Sequence, residues 1–334
     1  MEYRSLGESG VNASVVALGA FAMGGWMWGG TDEDQSIRAV HAALDHGVNF
    51  IDTAPIYGYG VSEQIVGKAI KDRRDQVVLA TKCGMVCRPD VGDFKFRSTM
   101  QAVDAEGHIP VRIYLHPSSV RDEVEMSLRR LQTDYIDLIQ THWQDSTTPV
   151  SDTMAELLKL KDEGKVRAIG VCNAGVDQLS EYLEAGPIVS DQEKYSMLSR
   201  QAEEENLPFC EKKGIAVLAY SPLADGLLTG KIDPERTFGS GDRRFNSPKF
   251  SVENRRMVLR MLNEFQAIAE NHRASMVQLV TAWTLSQPGV THALCGMRNA
   301  EQATENAGAG SIALDNDEVA RMTSILNRYS STLA

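Results

Sequence analysis

Short apolar runs alternate along this chain with stretches whose apolar residues recur every three or four positions. The runs fall at 14–18, 48–51, 77–82, 136–142, 166–171, 187–192, 215–219 and 292–295. Between them the spacing changes. Ile37, Val40 and Leu44 share one helical face, and so do Val120, Val124, Leu128 and Leu131. Leu157 and Leu160 do the same in a stretch that Gly164 ends, as do Val176, Leu179 and Leu183. Thr31 reads as the cap of the first helix, and Gly47 as its stop. Near-continuous apolar strands separated by helices predict a parallel sheet covered on both faces. Eight such units in about 300 residues fit a (β/α)8 TIM barrel better than a doubly wound open sheet.

The first dozen residues read as a β-hairpin around Gly7 and Gly10. Two stretches break the rhythm. Residues 83–117 show no strong helix or strand period, and neither do residues 221–252. Loops that long in a compact chain are usually functional. Helical spacing returns at Val258, Met261, Leu262, Phe265 and Ile268. No repeat, linker or low-complexity tract divides the sequence, so residues 1–334 read as a single barrel domain.

Composition narrows the function. The chain is 43% apolar and 24% charged, which supplies a large core. A formal charge of −11 argues against a general nucleic-acid binder. No apolar run approaches the roughly 18 residues that span a bilayer, and the first residues do not resemble a secretory leader. Five scattered cysteines read as the reduced thiols of a cytoplasmic protein. Cys83 and Cys87 form half of a metal-site pattern with nothing nearby to complete it, so no metal is expected.

Chemistry is carried by the carboxyl ends of three strands, where barrel active sites lie. Asp52 ends one, Lys82 the next and His142 a third, with Tyr57 in the loop after Asp52. A buried carboxylate needs a partner, and Lys82 is available. A nearby ammonium lowers the pKa of a phenol, so Tyr57 would be a tuned proton donor. His142 can donate a hydrogen bond to a substrate oxygen or relay a proton. Taken singly, each residue has a plainer reading: a structural ion pair for Asp52 and Lys82, loop packing for Tyr57, a core histidine for His142. Their coincidence at strand ends favours catalysis. Gly58-Tyr59-Gly60 lacks the third glycine of a dinucleotide-binding fingerprint and reads as a hinge carrying Tyr57 over the barrel mouth.

The segments Ile51-Asp52-Thr53-Ala54-Pro55-Ile56-Tyr57-Gly58-Tyr59-Gly60, Ala80-Thr81-Lys82, Gln140-Thr141-His142 and Gly170-Val171-Cys172-Asn173 resemble the signatures of the aldo-keto reductase superfamily. So does the stretch from Tyr220 to Lys231, and the likeness runs from about Tyr3 to the last helix. The resemblance implies a barrel that binds NAD(P)H extended, without a Rossmann fold. It implies hydride transfer to the carbonyl of an aldehyde or ketone, with Tyr57 as general acid and Asp52, Lys82 and His142 assisting. Asn173 and Gln192 would hold the nicotinamide amide, and Tyr220 would stack on the ring. Ser221, Leu223, Gly226 and Lys231 would line the pyrophosphate.

The segment from Gly296 to Asn306 resembles the family's adenosine site. Free amides at that helix start suit an anion, and Arg298 would meet a 2′-phosphate. Gln302 and Asn306, four apart, share a helix face, and the resemblance assigns them to the adenosine. NADPH is therefore the expected cofactor, with NADH as the alternative.

The sequence also departs from the family. Cys172 stands where serine is common, and Gly296 and Met297 replace a lysine and a serine of the mammalian branch. The chain has no long loop after its last helix, so residues 83–117 are expected to wall in the substrate. Trp26, Trp28, Tyr59, Met85 and Trp143 are the candidates for the pocket rim, with buried packing as the alternative for each. A cofactor-binding regulatory protein with the same fold and slow turnover is the competing reading, and a metal-dependent barrel hydrolase a third. Neither the small-molecule substrate nor the oligomeric state can be read from these motifs.

Overall fold

In a computed structural model, residues 1–88, 90–99 and 108–330 are described. Two short strands, β1 (Tyr3–Ser5) and β2 (Asn12–Ser14), make the expected hairpin. Then β3 (Val16–Gly19), α1 (Glu33–Asp45), β4 (Phe50–Asp52), α2 (Val61–Ile70) and β5 (Val78–Cys83) establish the alternation. Asp32, not Thr31, caps α1: its carboxylate accepts the Gln35 amide at 2.9 Å. An extended backbone and a short acceptor side chain suit it to the role.

The described part of residues 83–117 is not an irregular loop. It contains β6 (Met85–Val86), β7 (Asp93–Thr99) and β8 (His108–Ile113), joined in the antiparallel order β6-β8-β7. Residues 89 and 100–107 of that stretch lie outside the described residues. The alternation resumes with α3 (Pro117–Leu131), β9 (Ile136–Thr141), α4 (Val150–Asp162), β10 (Val166–Cys172), α5 (Val176–Ala185) and β11 (Ser190–Lys194). Next come α6 (Asn206–Lys213) and β12 (Ala216–Tyr220). The periodic stretch around Phe265 is two helices, α7 (Val252–Asn263) and α8 (Gln266–Asn271), with Phe265 itself buried between them. The helix α9 (Met276–Leu285), the strand β13 (Val290–Gly296), α10 (Ala300–Ala307) and α11 (Asn316–Ser330) complete the order.

The eight barrel strands pair in parallel and in sequence, β3-β4-β5-β9-β10-β11-β12-β13, and β13 returns to β3. Side chains of alternate strand residues divide between two cores. One fills the barrel interior, with Ala17, Phe50, Ala80, Leu138, Ala168 and Leu218; Leu6 and Ala13 of the hairpin belong to it. The hairpin therefore plugs the end of the barrel away from the strand carboxyl ends. The larger core lies between strands and helices. Closing one end leaves the carboxyl-end loops as the open face, where Asp52, Lys82 and the residues after Thr141 emerge.

No helix among the described residues is long and apolar enough to cross a membrane.

Candidate active site

A cleft of about 660 Å³ opens at the carboxyl ends of the strands. Its deepest polar feature is a buried relay. The Lys82 ammonium donates to Asp52 Oδ2 at 2.7 Å, to the Thr53 carbonyl at 2.9 Å and to the Tyr57 hydroxyl at 3.3 Å. Lys82 is 1% exposed and Asp52 3%. Their strands are direct neighbours, which brings the two side chains together. The other Asp52 oxygen accepts from Gln192 Nε2 at 2.8 Å and Gln140 Nε2 at 3.2 Å. Both carboxylate oxygens are thus satisfied, as a buried charge requires.

Tyr57 is held from several sides. Its ring lies 4.8 Å from Phe21 and meets His142 edge-on at 5.9 Å. The loop carrying it is pinned by backbone. Gly58 has φ 63, and a Cβ there would lie 2.1 Å from the Gly24 carbonyl oxygen. That close approach explains the glycine at this position. Gly58 lets the Tyr57 loop pack rigidly on the loop after β3, and rigid packing fixes the phenol.

Electrostatics modify the expectation for Tyr57. Burial pushes its pKa up to about 12, and the Lys82 charge offsets this only in part. Burial is the largest influence on Lys82 and opposes its charged form, but the Asp52 carboxylate, Tyr57 and Cys172 together outweigh it and hold the ammonium above its usual value. His142 is pushed well below its ordinary value by burial first, then by the charges of Lys82 and Lys95. At neutral pH the set is a neutral phenol, an ammonium, and a neutral imidazole that offers one N–H.

Beyond the relay, Asn173 follows β10 with φ 54, a left-handed conformation that asparagine tolerates. It donates to the His142 carbonyl at 3.0 Å and accepts from the Tyr220 hydroxyl at 2.9 Å. The loop after Tyr220 turns sharply, with positive φ at Ser221, Ala224, Asp225 and Gly226. Ser221, Leu223, Gly226 and Lys231 line the cleft there, and Gly296, Arg298, Gln302 and Asn306 line its far end. Lys231 pairs with Glu305 at 2.6 Å. The Arg298 guanidinium donates to the Gly30 carbonyl at 2.8 Å and the Trp28 carbonyl at 3.3 Å. Gln302 accepts the Arg298 amide, and Asn306 donates to the Gly296 carbonyl.

Among the cleft-lining residues, six are basic: Lys95, Lys231, Arg236, Arg243, Arg244 and Arg298. Three are acidic: Asp52, Asp225 and Glu305. A basic cleft in a chain of net charge −11 fits an elongated anionic ligand. Tyr220 at one end and the amide-rich start of α10 at the other suit the nicotinamide and the adenosine of a dinucleotide. Among the described residues, no group of three or more His, Cys, Asp or Glu side chains is placed to hold a metal ion.

Of the expected rim, Trp26, Trp28, Met85 and Trp143 line the cleft. Tyr59 does not. It packs behind Trp26, 5.4 Å between ring centroids, in a small cluster with Ala54, Ile56 and Val111. Its place in the turn before α2 directs it there. Cys172 is buried beside the relay, and burial keeps its thiol protonated.

Several lining residues had not been singled out. Phe21 follows the first barrel strand, Lys95 and Phe96 come from β7, and Arg243 and Arg244 from the loop before α7. The alternation Phe94-Lys95-Phe96-Arg97 was a strand signal that could have located the second group.

Comparison with known proteins agrees with this geometry. Residues 16–327 match the model of the Aldo/keto reductase family. The chain is 41% identical over 307 residues to the aldo-keto reductase YhdN of Bacillus subtilis, covering 90% of this chain and 86% of that one. It is 40% identical over 323 residues to the NADH-specific methylglyoxal reductase of Escherichia coli, covering 95% and 96%. The structure of a glycerol dehydrogenase, AKR11B4 from Gluconobacter oxydans, superposes with a TM-score of 0.84 at 38% identity, covering 96% and 93%. The fold, the cleft and these matches together establish that the chain belongs to the aldo/keto reductase family and is an NAD(P)H-dependent oxidoreductase.

Proposed function

We propose that the chain interconverts short aldehydes or ketones and their alcohols, with Tyr57 as the acid that protonates the carbonyl oxygen. The single observation that carries this is the Lys82 ammonium, buried between Asp52 and the Tyr57 hydroxyl. A dinucleotide, when bound, would supply the hydride. Everything else falls to the protein. As negative charge grows on the substrate oxygen, the Tyr57 hydroxyl passes it a proton, and Lys82 stabilises the phenolate left behind. Asp52 keeps Lys82 charged and aimed. His142, neutral because burial and nearby cations lower its pKa, donates its N–H to the same oxygen. Asn173 and Gln192 form the polar wall beside Tyr220, where a nicotinamide amide would be held. The reductase and dehydrogenase names of the relatives support a small polar substrate. The test is oxidation of NADPH and NADH with a panel of short aldehydes and ketones. Tight cofactor binding with no turnover on any of them would instead favour a regulatory role.

Two expected results follow. Reduction needs the neutral phenol and oxidation the phenolate. With the Tyr57 pKa near 12, the phenolate fraction grows about tenfold per pH unit through the neutral range. Alcohol oxidation should therefore rise steeply from pH 6 to 8 while carbonyl reduction stays level. An oxidation profile that is flat over that range would remove Tyr57 from the proton path.

Arg298 is the proposed reader of a 2′-phosphate. Arg298→Ala should weaken NADPH by roughly 10- to 100-fold, the value of a charge-assisted hydrogen bond, and NADH much less. Cofactor titration of the variant checks this. Equal losses would mean that Arg298 serves mainly to hold the Trp28–Gly30 loop.

A further inference from the structure

The cleft wall nearest Tyr57 is largely aromatic and apolar: Phe21, Trp26, Met85, Phe96 and Trp143. One charge interrupts it. The Lys95 ammonium sits 3.1 Å from the centroid of the Trp143 ring, and Trp143 directly follows His142. Lys95 acts on that histidine through space, contributing to its lowered pKa.

The register of β7 explains how a lysine reaches this wall. Phe94 pairs with Arg112 and Phe96 with Val111, so Lys95 is the extra residue of a β-bulge. In a regular strand, neighbouring side chains point to opposite faces. A bulge re-aims one of them. Here Lys95 and Phe96 both line the cleft while Phe94 is 56% exposed outside it. The strand is tied down at the adjacent residue. Asp93 accepts from the Ser146 amide and hydroxyl at 2.7 and 2.8 Å.

Of the five other cations lining the cleft, Arg236 lies over the Phe238 ring and four already have acceptors. Lys231 pairs with Glu305, Arg244 with Asp242, Arg243 with Asp225, and Arg298 with two carbonyls. Lys95 has no carboxylate or hydrogen-bond acceptor among the described residues, only the face of Trp143. Burial lowers its pKa with no opposing anion. An ammonium held only by a ring face keeps its N–H donors free for an acceptor in the cleft.

We propose that the substrate carries an anionic group, a carboxylate or a phosphate ester, which seats on Lys95 while the carbonyl is presented to Tyr57. This rests on the reductase reading above and adds the substrate class. The ligand's charge supplies a counter-ion that no described residue provides. The aromatic wall excludes water and strengthens the pair.

The test compares charged substrates with their neutral counterparts on the wild-type chain. One arm sets 4-oxobutanoate and 5-oxopentanoate against their methyl esters. The other sets glyceraldehyde 3-phosphate against glyceraldehyde, which distinguishes phosphate from carboxylate. In at least one arm the anion should have the higher kcat/KM by roughly 10- to 100-fold. In Lys95→Met that ratio should fall to near one, and Lys95→Arg should restore most of it. Calorimetric titration of glutarate and glutaramide into the chain saturated with NADP+ gives a second readout, and the same loss of preference is expected in Lys95→Met. If no carbonyl is turned over, the reductase reading fails, and the titration still decides the role of Lys95. Wild-type ratios near one in both arms would overturn the assignment. So would equal binding of glutarate and glutaramide, or a Lys95→Met variant that lowers charged and neutral partners in parallel.

Discussion

Tyr57→Phe should lose carbonyl reduction by about 10²- to 10⁴-fold, the range that a positioned general acid contributes, and should still bind NADPH. The variant removes one hydroxyl and keeps the ring, so the contacts with Phe21 and His142 remain. The hydroxyl is not a structural strut. Its one hydrogen bond among the described residues is the long one from Lys82, at 3.3 Å. Lys82 keeps two better acceptors, Asp52 and the Thr53 carbonyl. The fold should therefore be almost unaffected. Turnover by NADPH oxidation, cofactor titration and thermal melting, measured together, check this. Turnover equal to wild type would exclude Tyr57 as the acid. Lost cofactor binding would make it a cofactor residue.

The second large effect concerns stability as much as catalysis. Asp52→Ala leaves Lys82, with its fully buried side chain, without its counter-ion and removes the acceptor for Gln140 and Gln192. Breaking a buried ion pair by deleting one member costs about 3–5 kcal/mol. The uncompensated ammonium should release its proton more easily, so the phenolate loses its support and turnover falls as well. Lys82→Met added to Asp52→Ala removes the stranded charge. The double variant should regain most of the lost stability, because an apolar replacement for a buried pair is often neutral, yet it should stay inactive. Urea melts and turnover of the two single variants and the double variant separate these effects. If Asp52→Ala melts like wild type, the pair is not the buried, compensated unit described above. If the double variant regains turnover along with stability, the pair is structural alone.

The barrel was legible because its signal is carried by many residues. Buried strands must be apolar on both faces, and runs such as 77–82 and 136–142 fall within a residue of the observed β5 and β9. Asp52, Lys82 and His142 were legible for the same reason, since strand ends locate them without any knowledge of the loops. The 83–117 stretch was not. Its strands are antiparallel and partly exposed, and the bulge at Lys95 interrupts the one clear alternation. Phe21 and Arg243 reach the cleft through loop paths that leave no periodic trace, and the alternation around Lys95 marks a strand without revealing the register shift that turns its side chain inward. The Tyr57 pKa went the other way from expectation for a related reason. Charge pairing can be guessed from residue types, but the extent of burial, which dominates here, is set by packing from several distant segments.

Tyr57 is proposed to deliver a proton to a carbonyl that receives a hydride in this cleft. Single turnover with NADPH deuterated at the transferring position tests it most directly, with product read by mass spectrometry for wild type and Tyr57→Phe. The wild type should quickly form an alcohol carrying one deuterium at the carbinol carbon. The variant at saturating cofactor should form the same labelled alcohol orders of magnitude more slowly. Unlabelled alcohol, or equal rates from the two proteins, would contradict the proposal.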